Sequence, residues 1–519
     1  MKNLPLIDIA VIIVYLLAML AMGVWFSRKN KSSEQFTKAS GMIPGWAVGI
    51  SLYATFLSSN TFLGVPGKAF GANWNSFVFS LSMPLAAWAA VKYFVPFYRT
   101  TGGVSAYTHL EHRFGAWART YAVVCFLLTQ LARMGSIFFG IALSLQALTG
   151  FDMPTIMVVT GICIVVYTVM GGMEAVIWTE VAQGVLLTFG GLLVLYLVVN
   201  HIEGGISGMV DIGMAHGKFS LGSFNADFVG PSFWVILLYG FFINLNNFGM
   251  DQNYVQRYHT ATSAKEAAKS VWLCVKIYLP ISLLFFIIGS ALYAYYTQNP
   301  ELTETIRQQT AAERLPAGTG QGEIDALAAT LRAEDYGDKV MPHFMVNMLP
   351  VGLLGLVISA ILAAAMSTIS SGMNASATVF TEDVYKRYIR PQSTNKQSLR
   401  MLFIATGVFG ILGMVAGVGM IGVQSILDVW WELSGIFAGG MLGLFLLGLI
   451  SKKASNSDAA IAVIAGVLAI LWMTFSYLIP DQYRFLRYPL HANMIIVVGT
   501  LVISLVGSGL ASIRARSNP

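Results

Sequence analysis

The chain has 519 residues, of which 56% are hydrophobic and only 11% charged, and its mean hydropathy is +0.68. A soluble protein carries about 25% charged residues, so this composition excludes one and points to an all-α polytopic membrane protein. The formal charge of +6 does not mark a nucleic-acid partner, because the basic residues sit in short stretches between apolar runs and no basic patch is interleaved with aromatics.

The first apolar run covers 6–27 and is followed, not preceded, by the basic cluster Arg28, Lys29 and Lys31. That order is the reverse of a cleavable signal peptide, so the segment is expected to remain, with its N-terminus outside. Further runs of bilayer-spanning length fall near 45–70, 76–98, 119–148, 154–171, 175–199, 232–252, 269–296, 347–381, 399–420, 424–450, 457–479 and 492–511, giving thirteen expected spans. If the loops alternate, the inward ones, among them 257–269, hold 19 Lys and Arg and the outward ones 8. This bias predicts a cytoplasmic C-terminus in a cell's plasma (inner) membrane. Two hydrophilic stretches, 200–230 and 297–340, fall outside, and the second, with Pro316-Ala-Gly-Thr-Gly-Gln-Gly322, reads as a partly helical loop. One membrane domain accounts for the whole chain. Cys125, Cys163 and Cys274 lie inside apolar runs without paired or metal-like spacing and read as packing residues.

Two spans are interrupted. Ser51-Leu-Tyr-Ala-Thr-Phe-Leu-Ser-Ser-Asn-Thr-Phe-Leu-Gly-Val-Pro-Gly67 sets five small polar residues at mid-depth before a Gly and a Pro-Gly pair. Unwound backbone there is tolerated only where it is buried or lines a wet cavity, and freed carbonyls such as those of Ala54 and Leu57 can bind a cation. The seventh span echoes it with Phe242-Ile-Asn-Leu-Asn-Asn-Phe-Gly-Met-Asp-Gln252. Interrupted segments opening two five-span units, 45–199 and 232–450, point to an inverted-repeat secondary transporter; the repeat is inferred from spacing, since identity between the halves is faint.

Ile361-Leu-Ala-Ala-Ala-Met-Ser-Thr-Ile-Ser-Ser-Gly372 places Ala364, Ser367, Ser370 and Ser371 on one helical face with Thr368 beside them. Such a face presents several oxygens to a small hard cation, although small hydroxyl residues also serve close helix packing. Charged residues inside spans are costly and are candidates for function. Arg133 lies well inside the fourth span, where a planar guanidinium suits bidentate capture of a carboxylate, either a substrate's or the protein's own. Glu180, early in the sixth span, is either an anionic ligand facing the hydroxyl helix or a solvated residue near the inner surface. The seven His are scattered, and no His-Glu-x-x-His, Gly-x-Ser-x-Gly or phosphate-binding loop is present, so the chain reads as a carrier and not an enzyme or ATP-driven pump. Transport then draws on an ion gradient, worth about 2.3 kcal/mol per charge per 100 mV of potential.

Gly171-Gly-Met-Glu-Ala-Val-Ile-Trp-Thr-Glu-Val-Ala-Gln-Gly184, Asp251-Gln-Asn-Tyr-Val-Gln-Arg-Tyr258 and Ala363-Ala-Ala-Met-Ser-Thr-Ile-Ser-Ser371 resemble the sodium:solute symporter family, in order and spacing over nearly the whole chain. The resemblance implies the leucine-transporter fold: a 5+5 inverted repeat (45–199 and 232–450), one extra helix before it (6–27), two after it (457–511), and alternating access. It implies a first Na+ site from the carbonyls of Ala54, Leu57 and Ala364 with the hydroxyls of Ser367 and Thr368. Similarity to bacterial sialic acid symporters implies a second Na+ site at Glu180, Ser367, Ser370 and Ser371, where those proteins have Asp in place of Glu180. Ser58, Thr61 and Arg133 match their carboxylate-binding positions, and Ser59 is grouped with them. Ser76 and Ser80 stand where those proteins carry an aromatic residue and Gln. The run Asn244-Leu-Asn-Asn-Phe-Gly249 is similar to the sugar symporters of the family, and that similarity implies Asn244 in the pocket, with Asn247 and Phe248 near an inner gate. The expectation is a sodium-coupled importer of sialic acid or a related sugar acid; the alternatives are a neutral sugar, a small carboxylate such as pantothenate, or a sensor or channel without coupled transport. No nucleic-acid or obligate protein partner is expected.

Overall fold

A computed structural model describes residues 4–28, 31–316, 318–422 and 426–517. Lys29, Ala317 and positions 424–425 of the expected eleventh span lie outside the described residues. The described residues form helices joined by turns. Ten are long and apolar enough to cross a membrane, and two further bent pairs qualify when each pair is one crossing. One of the ten, Met153–Asn200, is 48 residues long and breaks at Gly172. With that helix divided there, the described residues give the expected thirteen spans: α1 (Leu6–Ser27), α2 (Gly45–Phe56 with Asn60–Gly71), α3 (Trp74–Thr101), α4 (Ala116–Thr149), α5 and α6 (the two parts of Met153–Asn200), α7 (Phe233–Gly249 with Gln252–Thr260), α8 (Ala264–Gln298), α9 (Leu353–Ile389), α10 (Asn395–Gly419), α11 (Ile426–Ile450), α12 (Asn456–Phe475) and α13 (Met494–Ser517).

Burial orders these helices. The apolar window of α9 is 89% buried, whereas that of α1 is 17% buried, so α9 is the central helix and α1 a peripheral one. They are tied together by Asp8, whose Oδ1 accepts the Gly352 and Gly355 amides at 2.8 and 2.6 Å and so caps the start of α9.

Each interruption has a local cause. In α2 the Ser58 amide donates to Thr61 Oγ1 (3.4 Å) and Leu57 is extended (φ −93°, ψ 120°), so the helix stops and restarts at 58°. Pro66 has no N–H for the carbonyl four residues back, and a wide turn at Asn60–Gly64 absorbs the mismatch. In α7 the Met250 and Asp251 amides both donate to Asn246 O (2.7 and 3.0 Å), and the Asp251 side chain takes the Asn253 amide (2.8 Å) to start a new helix at 45°. Gly172, between α5 and α6, adopts φ 58°, ψ −165°, a conformation open to glycine alone. The second halves of both bent spans end on cationic caps. Lys218 Nζ donates to Phe70 O (2.6 Å) and Ala72 O (3.0 Å), and Arg99 Nη1 to Tyr258 O (3.2 Å) and Ala261 O (3.1 Å).

Two boundaries differ from expectation. The seventh span runs on to Thr260, so Arg257 is no inward-loop residue; it is 1% exposed. The ninth begins at Leu353, because 347–352 belongs to the end of helix Ala333–Met348 and a turn with Gly352 at φ +90°. The loop at 297–340 is helical over Pro300–Arg314, Gln321–Thr330 and the start of Ala333–Met348.

Candidate ion and solute site

The break in α2 meets the hydroxyl face of α9. Ser367 Oγ donates to Ala54 O (3.1 Å) and Ala364 O (2.9 Å), and Thr368 Oγ1 to Leu57 O (3.3 Å) and Ala364 O (3.2 Å). All five oxygens named from the sequence therefore gather at one buried point. Ala54 O is free of a helical partner because the Ser58 amide has turned to Thr61, and Leu57 O because the Thr61 amide donates to Ser58 O (3.0 Å). The cluster carries no formal charge and consists of hard oxygens alone, a donor set that suits an alkali cation. Among the described residues no group of three His, Cys, Asp or Glu side chains could hold a transition metal.

Immediately beyond the break lies a cavity. Ser58, Asn60 and Thr61 of α2 line it, with Ser76 and Ser80 of α3, Arg133 of α4, Asn247 and Tyr254 of α7, and Tyr278 and Ser282 of α8. Arg133 Nη2 donates to Thr55 O (2.7 Å) and Tyr254 OH (3.2 Å), while Nη1 stands 3.9 Å from Asp251 Oδ2. The guanidinium is thus oriented by protein groups and still borders the cavity, beside the N-terminal end of Asn60–Gly71, where the helix dipole favours negative charge. Aromatic clusters flank the space. Phe79, Tyr239 and Trp431 meet with centroids 5.2–5.8 Å apart, and Phe56 lies 4.4 Å from Tyr254 and 5.6 Å from Tyr278.

Two residues grouped with the solute, Ser59 and Asn244, point elsewhere, and Phe248, expected near a gate, joins the Phe56 cluster beside the cavity. Ser59 is buried and donates to Ile137 O (3.3 Å). Asn244 Nδ2 donates to Ser82 Oγ (3.1 Å) and Phe79 O (3.4 Å), facing α3, and Phe248 packs against Phe56 at 5.4 Å. The reason is helical phase. Tyr239, Ile243 and Asn247 recur every four residues and share the cavity face, which leaves Asn244 on the flank. Asn247 accordingly lines the cavity and not the region beyond it. Tyr254, Tyr278, Ser282 and Asn60 were missed; the first could have been found by continuing the helical pattern past Asp251.

Glu180 is fully buried, which removes the solvated reading, and it faces α9 as expected. Its partner is one the sequence did not suggest. Arg257 Nη2 lies 2.7 Å from both carboxylate oxygens, and Ser51 and Ser371 also donate to the carboxylate. Of the other residues grouped with it, Ser370 Oγ donates back to Ser367 O (3.1 Å) and Ser367 belongs to the first cluster, so only Ser371 reaches Glu180.

The sequence profile described as the sodium:solute symporter family matches residues 36–466. The chain belongs to that family. It is 33% identical over 500 residues to the sodium/sialic acid symporter NanT of Aliivibrio fischeri, covering 95% of this chain and 90% of that one. It is 32% identical over 504 residues to the sodium/sialic acid symporter SiaT of Proteus mirabilis, covering 96% and 95%. With the sodium/glucose cotransporter of Vibrio parahaemolyticus the identity is 28%, over 96% and 90%. Among solved structures, a sodium-coupled sialic acid symporter in a substrate-bound outward-open state, described as revealing a novel sodium site, superposes with a TM-score of 0.83 at 30% identity over 98% of both chains. Mhp1, a nucleobase-cation-symport-1 family transporter, superposes at 0.55 with 14% identity over 94% and 96% and shares the fold. The architecture is that of the leucine transporter, in an all-α multi-pass membrane protein.

Proposed function

We propose that this symporter couples inward sodium movement to uptake of sialic acid or a closely similar sugar acid. The observation that carries the reading is adjacency: Ala54 and Leu57 give their carbonyls to the oxygen cluster, and Ser58 and Thr61, the next residues of the same break, line the cavity with Arg133. Sodium sits at the carbonyls of Ala54, Leu57 and Ala364 and the hydroxyls of Ser367 and Thr368. Its binding fixes the break and so prepares Ser58, Thr61 and Arg133 for the carboxylate, which gives positive coupling between the two ligands. Ser76, Ser80, Asn247 and Ser282 take the sugar hydroxyls. The clusters around Trp431 and around Phe56 act as opposite gates in alternating access, with the N-terminus outside and the C-terminus cytoplasmic in the plasma membrane, as the Lys and Arg distribution favours. The two relatives named sodium/sialic acid symporters support the solute.

A second reading, a neutral sugar, draws on Asp251 near Arg133, which already offsets the guanidinium charge, and on the uncharged serines of the α3 and α8 walls. Uptake of labelled sialic acid into proteoliposomes, with sodium or choline outside and with unlabelled hexoses and sugar acids as competitors, separates the two. Sodium-dependent uptake blocked by sugar acids and not by hexoses is expected. Uptake indifferent to sodium, or competition by hexoses alone, overturns the proposal.

A further inference from the structure

Glu180 and Arg257 stand a short way along α9 from the sodium cluster, and their contacts leave little unused. All three guanidinium nitrogens are engaged: Nε donates to Ser51 Oγ (2.8 Å), Nη1 to Asn253 O, and Nη2 to the Glu180 carboxylate (2.7 Å) and to Ser371 Oγ (2.6 Å). Both carboxylate oxygens are taken by Arg257, with Ser51 and Ser371 also donating to them. A free cation approaching this carboxylate has to displace a side chain that is 1% exposed and held from four sides.

The surrounding charge is balanced as well. Around the cavity and the cluster the described residues bury four charged side chains, Arg133 and Arg257 against Glu180 and Asp251. Asp383, another buried acid on α9, pairs with Arg119 at the far end of that helix (2.5 Å). The unloaded centre is thus neutral. One sodium ion at the uncharged oxygen cluster and one solute carboxylate at Arg133 leave it neutral again, whereas a second sodium ion leaves an unpaired positive charge in a low-dielectric interior, which is strongly disfavoured.

We infer that Arg257 is a tethered cation holding the Glu180–Ser371 position in place of a second sodium ion, so that the carrier moves one sodium ion with each carboxylate and no net charge. The inference rests on the sodium–sialic acid reading above and specifies its stoichiometry. The consequence is that uptake draws on the sodium concentration gradient and not on the membrane potential.

The test is the ratio of ²²Na to labelled sialic acid entering proteoliposomes of the full chain, measured with and without an inside-negative potassium–valinomycin potential. A flux ratio of about one and initial rates that stay constant under a potential of about −100 mV are expected. A ratio of two, with uptake accelerated by the potential, overturns the inference while leaving sodium–sialic acid symport intact; absence of sodium-dependent uptake overturns symport itself. Arg257→Gln uncovers the Glu180 carboxylate, and there the ratio is expected to rise toward two; a ratio fixed at one in that variant also counts against the tethered cation. Should the unpaired carboxylate prevent folding, the neutral pair Glu180→Gln with Arg257→Gln takes its place, with a retained ratio of one expected and loss of sodium coupling contradicting it.

Discussion

At the scale of single residues, the proposed site rests on two kinds of group, each with its own signature. The hydroxyls of Thr368 and Ser367 donate to the oxygen cluster and do not line the cavity, so Thr368→Ala is expected to raise the half-saturating sodium concentration on the order of tenfold, with maximal uptake little changed at saturating sodium, as measured by sodium titration of uptake. Arg133 borders the cavity, so Arg133→Ala is expected to weaken sialic acid binding on the order of 100-fold while the sodium affinity of the solute-free protein stays within about threefold; calorimetry of the two ligands separately checks this. Arg133→Lys recovers only part of the loss, because a point charge cannot replace the planar fork. The oxygen cluster was legible in outline from a short local pattern, hydroxyls at one helical phase and a run of small polar residues before Gly and Pro-Gly, and its full set of five oxygens came from the resemblance to the family. Glu180 was legible as an acid facing α9, but its partner was not. Arg257 stands at the start of the expected inward loop 257–269, and only the fold shows the polar residues before it satisfying one another inside the protein, with Gln256 donating to Thr37 O (2.6 Å) and Asn253 to Asp251.

At the scale of elements, the breaks matter more than the helices. Gly172 has φ 58° and ψ −165°, and Gly172→Ala is expected to lower stability by about 1–3 kcal/mol and reduce the yield of folded protein, read from the thermal midpoint in detergent. Lys218 caps the second half of α2 from the 200–230 stretch, with its ammonium 3.7 Å from the Tyr293 ring centroid. Burial pushes this ammonium down to about 8 from its ordinary 10.5. Between those values the unfolded chain keeps a proton that the folded chain has released, so stability rises with pH across the interval. Lys218→Met is expected to remove that rise, seen by comparing thermal midpoints at about pH 7.5 and about pH 9.5 in the two proteins. Helix existence and number were readable because lipid demands long apolar runs, and the split of the 48-residue helix was announced by Gly171-Gly172. The end of α7 was not, because hydropathy falls where a span turns polar and stays buried, and neither was the start of α9, because 347–352 is apolar enough to read as part of the span although it belongs to the preceding helix and turn.

At the scale of the whole molecule, the account is one of shared parts. The broken α2 supplies oxygens to one ligand and side chains to the other, the central α9 supplies the remaining oxygens, and charge inside the protein is balanced before either ligand arrives. A carrier built this way has little affinity for its solute until sodium has ordered the break. The most direct measurement is the dissociation constant of sialic acid for the purified protein with and without sodium, at constant ionic strength. The account predicts a decrease of at least about tenfold on adding sodium, with sodium affinity improved by the same factor when sialic acid is present. A dissociation constant for sialic acid that is the same in sodium and in choline would contradict it.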